Sequence, residues 1–284
     1  IVYIYLMINK KYLKNLRCKE INNKNDFIFD LYNERIIDSL DVIKIKFKKI
    51  LILGDQGTKI YKYIQKRFKE AQVQVYDINS QSSILDFENV EKSTIDLDFW
   101  QPEENKFDLI ISNFYLSICE DLNKIFSKIM KSLLPNGFFL ATLPSPENFS
   151  LLRLSMMKTD IQLYGGAYNR FNRTLELHVI IDMLKKNNFK IPLVDSEIIH
   201  FKYYQFSKLL NDVRSMNLSY YQKDKKVTFE KKSYFARLED NFDKEKNNFN
   251  LKSCIYIISG WKDHSSQQKP IKPGQAKNKL ADFL

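Results

Sequence analysis

The chain has 284 residues, 44% of them hydrophobic and 14% aromatic, so it is long enough to bury one large core or a core with a small appendage. Its formal charge of +11 would suit nucleic acid, but the lysines are scattered among Asn, Ile and Asp, so we expect a solvated surface or an acidic protein partner and no nucleic acid. The three cysteines, Cys18, Cys119 and Cys254, lie too far apart to indicate a zinc site or a disulfide framework, which favours a reducing cytoplasmic compartment and no bound metal.

An N-terminal helical segment, residues 1–45, is the first predicted unit. Its apolar start, 1–8, is far shorter than the roughly 20 residues that span a bilayer, and its lysines follow the apolar run instead of preceding it. We therefore expect neither a transmembrane segment nor a signal peptide. Because the chain begins with Ile, Met7 is an alternative start residue.

A strand, a glycine turn, a helix and a second strand open the predicted core, 46–202. The apolar run 49–54 ends in glycine and predicts a buried parallel strand, and 59–71 has apolar residues at helical spacing. The second strand, 73–77, ends in Asp77. Together these segments predict one βαβ unit.

The same alternation continues through the rest of the core. A helix is predicted to begin near Asp121, which suits an N-cap, and to stop at Pro135-Asn136-Gly137. Further strands are predicted at 107–113, 138–143 and around 191–201, and a further helix at 174–187. This pattern indicates an α/β fold with a doubly wound sheet, whose ligand crevice lies at the carboxyl ends of the strands.

Residues 203–250 break this rhythm with a lysine-, aromatic- and Asn-rich stretch. Helices are predicted at 206–216 and 231–242, so we interpret the stretch as a helical insertion before the last strand, 254–260. The final unit, 251–284, holds that strand and a Pro-containing tail that is predicted to be extended and partly mobile.

A nucleoside cofactor site is predicted at the strand ends. Such a cofactor needs a glycine turn for close backbone approach and an acid at the end of the next strand for its ribose hydroxyls. Gly54 begins the turn and Asp77 is the acid, while Asp96 is expected to reach the adenine. The predicted cofactor residues are Gly54, Gly57, Asp77, Ile78, Asp96, Leu97 and Asn113. The turn lacks the G-x-G-x-x-G pattern of nicotinamide-binding domains.

The C-terminal half also carries motifs of a known family. Residues 107–122, 189–195, 210–216 and 260–274 resemble the family segments "FDLVVSNLSLHWVNDLP", "GFALPVVD", "LMxDLRxMG" and "GWxxHxSQxxPxxPGSA". On these segments the chain resembles class I S-adenosylmethionine-dependent methyltransferases. Within them it resembles bacterial relatives of the mitochondrial complex I assembly factor that hydroxylates an arginine, with the malonyl-carrier-protein O-methyltransferase of biotin synthesis as a neighbour.

The resemblance implies a Rossmann-like, seven-stranded methyltransferase sheet, S-adenosylmethionine as cofactor and a protein or carrier-bound substrate. Two chemistries follow from it: methyl transfer, for example to a malonyl thioester on an acyl carrier protein, or arginine modification during assembly of the NADH–quinone oxidoreductase. A rival from another class is a binding protein that keeps the fold without the cofactor.

Departures from the family pattern bear on this choice. The family turn is close to "LDLGCGTG", but here Ile52 replaces the acid and Gln56 the middle glycine, while Ser117-Ile118 replaces a His-Trp pair. Ile52 and Gln56 favour a binding protein, whereas the retained Asp77 and Asp96 favour an enzyme. An open cleft beside the turn would support an enzyme, and a filled one would oppose it.

Candidate substrate residues come from the family-like segments. Arg153 and Arg214 each have a planar fork that could bind an acidic group, with ordinary ion pairing as the alternative. Gly165 and Gly166 lie in a segment that predicts either a lid or a simple turn, and Trp261 belongs to the Gly-Trp motif. The three histidines form no metal motif, and no catalytic residue is identified, since methyl transfer needs little beyond alignment of donor and acceptor.

Overall fold

Two helices precede the sheet. The computed structural model describes residues 8–20, 27–55, 58–79, 87–216, 220–225, 230–245 and 248–267. Helix α1 spans Lys10–Glu20 and helix α2 spans Phe27–Asp41. The apolar residues that α2 buries recur at every fourth position and form one face, namely Ile28, Tyr32, Ile36 and Leu40. The N-terminal segment therefore contributes directly to the core.

Strands and helices then alternate along the chain. They are β1 (Lys49–Leu53), α3 (Thr58–Arg67), β2 (Gln72–Asp77), β3 (Val90–Thr94), β4 (Phe107–Asn113), a short 3₁₀ helix (Tyr115–Ile118), α4 (Leu122–Ser132), β5 (Leu133–Pro144), α5 (Ser150–Tyr164), α6 (Leu177–Lys186), β6 (Lys190–Tyr203), α7 (Phe206–Ser215), α8 (Lys232–Asn241), β7 (Lys244–Glu245) and β8 (Asn248–Trp261).

The sheet has the strand order β3-β2-β1-β4-β5-β8-β6 within the described residues. Strands β1 to β5 pair in parallel, β8 runs antiparallel between β5 and β6, and the short β7 pairs with β8. This order confirms the predicted doubly wound, Rossmann-like sheet of seven strands with helices inserted before the last one. The chain reverses direction across the sheet between β1 and β4, which is where this architecture places its ligand crevice.

The helix predicted to stop at 135–137 ends earlier, at Ser132, because β5 begins at Leu133. The register of β4 and β5 shifts across 134–137, where Asn136 adopts a positive φ of 62°. The Pro-Asn-Gly sequence therefore marks an irregularity within a strand and not the end of a helix.

Other boundaries also differ from the predicted ones. Strand β8 begins at Asn248 and not at 254, and α6 begins at Leu177 and not at 174. Strand β3 and helix α5 are elements that the sequence reasoning did not predict. The predicted mobile tail falls mostly outside the described residues, which end at 267.

Three apolar clusters hold these layers together. One lies between the sheet and helices α4 and α6, and a second packs α2 and α3 on the opposite face. The third joins α2, α5, α7 and α8 to the long ends of β6 and β8, so the inserted helices share a core of their own. No helix in the described ranges combines the length and apolar composition needed to cross a membrane.

Candidate functional site

The predicted cofactor residues converge where β1, β2 and β4 end. Gly54 follows β1 with φ +87°, and its N–H donates to the Tyr76 carbonyl at 2.7 Å. Asp77 ends β2 and Asn113 ends β4, and both are buried. Because parallel strands present their carboxyl ends at one edge, the three side-chain positions meet there. Gly57 and Gln56, the rest of the predicted turn, lie outside the described residues.

Tyr115 fills the space above Gly54. A Cβ added to Gly54 would lie only 2.4 Å from Tyr115 Cγ, so the ring packs directly on the glycine. The hydroxyl of Tyr115 accepts a hydrogen bond of 2.6 Å from the Ile78 N–H. The side chain, 2% exposed, thus crosses from the end of β4 over β1 to the end of β2. This is the path that a nucleoside cofactor would take.

Arg17 of α1 binds both carboxylate oxygens of Asp77. Its Nε donates to Oδ1 at 3.1 Å and its NH2 group to Oδ2 at 2.6 Å. Backbone N–H groups of Asp55 and Asn79 donate to the same carboxylate at 2.7 and 2.8 Å. A carboxylate has about four acceptor positions, so none is left for ribose hydroxyls in this arrangement. The Arg17 guanidinium also lies 4.8 Å from the centre of the Tyr115 ring.

Lys10, on the same helix, pairs with Asp96, the acid predicted to reach the adenine, and with the nearby Asp98. Its Nζ lies 2.9 Å from Asp96 Oδ1 and also contacts Asp98. Burial lowers the pKa of Lys10, but hydrogen bonds to and charges of the two aspartates outweigh it, so the pKa is raised. Lys10 and Arg17 are seven residues apart and therefore share one face of α1. That helix lies across the cleft and its two cations pair with Asp77, Asp96 and Asp98, while Leu97 is buried beneath.

Replacing Lys10 with Met is expected to destabilise the protein by about 1 kcal/mol at neutral pH, because the ion pair is only partly exposed. Because the pKa of Lys10 is higher in the folded state, the ion pair contributes its full stabilisation below the ordinary pKa of 10.5. This stabilisation is lost as the pH rises through the pKa of Lys10 in the folded state. The difference in thermal midpoint between Lys10→Met and the unaltered chain should therefore shrink above that pH. The exposed Lys124→Met is the control, and a difference that persists in alkali would contradict this prediction.

A further buried ion pair lies beside the turn. Lys92 of β3 reaches Asp55, the residue after Gly54, with Nζ 3.2 Å from Oδ2, and both side chains are less than a tenth exposed. The Tyr61 hydroxyl donates to the other oxygen of Asp55 at 3.1 Å. Position 55 is thus used for internal pairing, and Ile52 points into the apolar cluster beneath α2 and α3.

Sequence reasoning did not identify Tyr115, Arg17, Lys10 or Lys92 as site residues. One signal was available: the family segment "SNLSLHW" has Ser where this chain has Tyr115. The two cations of α1 gave no signal, since they lie in a lysine-rich stretch far from the residues that they bind.

Asn113 is also engaged within the protein. Its Nδ2 donates to Asn33 Oδ1 at 2.9 Å, and its Oδ1 accepts from Thr142 Oγ1 at 2.5 Å. Asn33 is fully buried on α2, so the predicted cofactor residue Asn113 is bound to the N-terminal helices as well.

A cavity of about 400 Å³ opens beside this closed cleft, at the ends of β4 and β5. It is mainly apolar, with the carboxylates of Glu120 and Asp121 among its lining. Asp121 caps α4 by accepting from the Lys124 N–H at 3.1 Å. Burial raises the pKa of the neighbouring Cys119 thiol, so this cysteine stays protonated and unreactive.

The predicted substrate residues are spread over the molecule. Arg153 lies in the first turn of α5, near the open cavity, and donates to the Pro146 carbonyl at 2.7 Å. Gly165 ends α5 with φ +73° and, like Gly166, is exposed. The structure does not bring together the others. Arg214 is exposed on α7, and Trp261 packs 4.4 Å from Phe138 at the amino end of β5, which is the edge of the sheet opposite the cleft.

Comparisons with known proteins agree with the predicted resemblance. The arginine-hydroxylase NDUFAF5, mitochondrial, of Dictyostelium discoideum is 27% identical over 288 residues, which cover 91% of this chain and 65% of that protein. The human protein of the same name is 24% identical over 89% of this chain and 75% of its own. A malonyl-[acyl-carrier protein] O-methyltransferase of Methylovorus is 18% identical over 84% of this chain and 83% of its own. No protein-family model matches the chain.

Solved structures agree on the fold. A candidate methyltransferase of Bacillus halodurans superposes with a TM-score of 0.54 at 13% identity and covers 80% of this chain and 98% of its own. The YcgJ protein of Bacillus subtilis gives 0.53 at 10% identity, with 80% and 97% covered. The chain has the class I S-adenosylmethionine-dependent methyltransferase fold.

Proposed function

We propose that this chain is a partner-binding protein of oxidoreductase assembly, built on a methyltransferase fold whose cofactor cleft is closed by its own side chains. The observation that carries this proposal is the position of Tyr115, whose ring rests on Gly54 and whose hydroxyl binds the Ile78 N–H. The ion pair of Arg17 with the Asp77 carboxylate also supports the proposal.

S-adenosylmethionine does not fit the residues as they are arranged. Its nucleoside would need the volume that the Tyr115 ring fills, and its ribose hydroxyls would need oxygens of Asp77 that already accept four hydrogen bonds. We therefore derive no methyl-transfer step. Binding of a partner does not require this cleft.

The nature of the partner is inferred from the relatives and from the open cavity. Several relatives are named as arginine hydroxylases, which suggests that a protein segment with an arginine is what this fold recognises here. Glu120 lines the cavity, is exposed and pairs with no cation among the described residues. A carboxylate matches the planar fork of a guanidinium. A subunit of the NADH–quinone oxidoreductase is the proposed partner.

A second candidate function is methyl transfer to a protein or carrier-bound substrate, such as a malonyl thioester. It is favoured by one observation: Asp77 and Asp96 are retained, and the cations that cover them, Arg17 and Lys10, both lie on α1. Movement of that single helix would free both acids. Movement of α1 alone would not displace Tyr115, because its ring belongs to the core. The ring would therefore also have to move away from Gly54.

Calorimetric titration with S-adenosylmethionine and S-adenosylhomocysteine separates the two functions. We expect no binding up to millimolar ligand, together with recovery of an oxidoreductase subunit when the tagged chain is purified from cells. Micromolar binding that is lost in Asp77→Ala would contradict the proposal and favour the second candidate.

A further inference from the structure

The open cavity is one end of a longer groove. A small cavity adjoins it and shares the lining residues Ser117, Pro144, Asn172 and Arg173. A third cavity, of about 430 Å³, shares Arg153 and Phe171 with the small one. The three form a continuous depression along the carboxyl edge of the sheet and the first turns of α5, here named the edge groove.

Two arginines without an acidic partner stand at the middle of the edge groove. The Arg153 guanidinium donates to the Pro146 carbonyl at 2.7 Å and lies 5.9 Å from the centre of the Phe171 ring. Arg173 is exposed. Among the described residues, no carboxylate lies within ion-pair distance of either arginine. Uncompensated guanidinium groups on a groove wall favour a ligand that carries a carboxylate.

The wall between these arginines and α5 is held rigidly. Arg170 binds the fully buried Asp160 through Nε at 2.8 Å, and its NH2 group lies 2.8 Å from Glu230. Its guanidinium also stacks 4.6 Å from the centre of the Tyr234 ring. Because Arg170 is paired with both acids, its guanidinium is not available to a ligand in the groove, and its role is to position the 167–171 wall.

An apolar stripe continues the groove along α5. Its members are 41–52% exposed and recur at spacings of three and four, which places them on one helix face: Leu154, Met157, Ile161 and Tyr164. Leu154 and Met157 also line the third cavity. A ligand that covers both the groove and this stripe has a larger footprint than a small molecule would have.

We infer that the edge groove binds a segment of a partner protein in which an acidic side chain is flanked by apolar ones. The acidic side chain lies between Arg153 and Arg173, and the apolar ones cover the α5 stripe. This inference rests on the proposed function only in assuming a protein partner.

Fluorescence anisotropy with a labelled peptide tests the inference on the full chain. The probe is a peptide with a single aspartate flanked on both sides by leucines. The control peptide has asparagine in place of the aspartate. We expect the aspartate peptide to bind at least about tenfold more tightly than the asparagine peptide. Arg153→Glu and, separately, Arg173→Glu should remove that preference, while the exposed Arg237→Glu, which makes the same charge change on α8, should not.

Because Arg153 also holds the Pro146 carbonyl, Arg173→Glu keeps the test valid if Arg153→Glu unfolds. Equal binding of both peptides, or unchanged binding by Arg173→Glu, would overturn the inference. Binding of octanoate in the absence of peptide binding would assign the groove to a small aliphatic acid and overturn it too. The titration with S-adenosylmethionine tests the cleft beside Gly54, whereas the peptide tests the edge groove. The proposed function and this inference can therefore fail independently.

Discussion

The double variant Tyr115→Ser, Arg17→Ala is expected to bind S-adenosylhomocysteine at micromolar concentration, whereas the unaltered chain should show no binding up to millimolar. Serine restores the residue of the family segment and removes the ring from above Gly54. Alanine at position 17 releases the Asp77 oxygens that Arg17 holds at 3.1 and 2.6 Å. The gain in affinity is about a thousandfold or more, which corresponds to about 4 kcal/mol. Calorimetric titration measures it.

The same variant should be less stable without ligand. Removing a buried aromatic ring from a packed core costs about 3–5 kcal/mol, and bound ligand should restore part of that loss. Tyr234→Ser is the matched control, because Tyr234 is equally buried but belongs to the core beneath the inserted helices. A folded double variant that binds no ligand would show that something other than Tyr115 and Arg17 prevents ligand binding.

The inner parallel strands were predictable because they are buried on both faces. Residues 107–113 were predicted as a strand and form β4 with the same bounds. The run of apolar residues gives such strands a signal that needs no knowledge of their neighbours. Strand β3 has the sequence Val-Glu-Lys-Ser-Thr and lies at the edge of the sheet, so its polar composition hid it.

The start of β8 shows a different limit. Residues 248–253 alternate polar and apolar side chains, as a half-buried antiparallel strand does, and they pair with the far end of β6. The preceding lysine-rich stretch masked this alternation. The helices α7 and α8, in contrast, were placed within one residue of their observed ends.

The location of the candidate site was predictable, but its closure by Arg17 and Tyr115 was not. Asp77 was identified from the order of strand, turn, helix and strand, which are neighbours in sequence. The cation that binds it lies 60 residues away, and nothing local in α1 marks Arg17 as a partner. The orientation of the Tyr115 ring likewise depends on tertiary packing that no short motif encodes.

Asp77→Ala is expected to lower the free energy of unfolding by about 3–5 kcal/mol, because it removes the carboxylate from a buried ion pair in which the Arg17 side chain is 11% exposed. Arg17→Ala should cost less, since the Asp55 and Asn79 N–H groups still bind the remaining carboxylate. If the two side chains act as one unit, the double variant should be about as stable as Asp77→Ala alone. Urea unfolding of the four proteins gives the coupling free energy, which we expect to be about 1–3 kcal/mol.

The control is a second double-mutant cycle on the more exposed ion pair of Lys59 and Glu34, whose side chains are 34% and 42% exposed. We expect a coupling free energy of about 0–1 kcal/mol for this pair. An acid that serves only a ligand can be removed with little loss of stability and sometimes with a gain, because functional sites often hold unsatisfied charge. A cost below about 1 kcal/mol for Asp77→Ala would therefore mean that Asp77 is kept for a ligand, and would favour the second candidate function. A large cost shared with Arg17 would mean that the former ribose acid has become part of the internal packing of this fold.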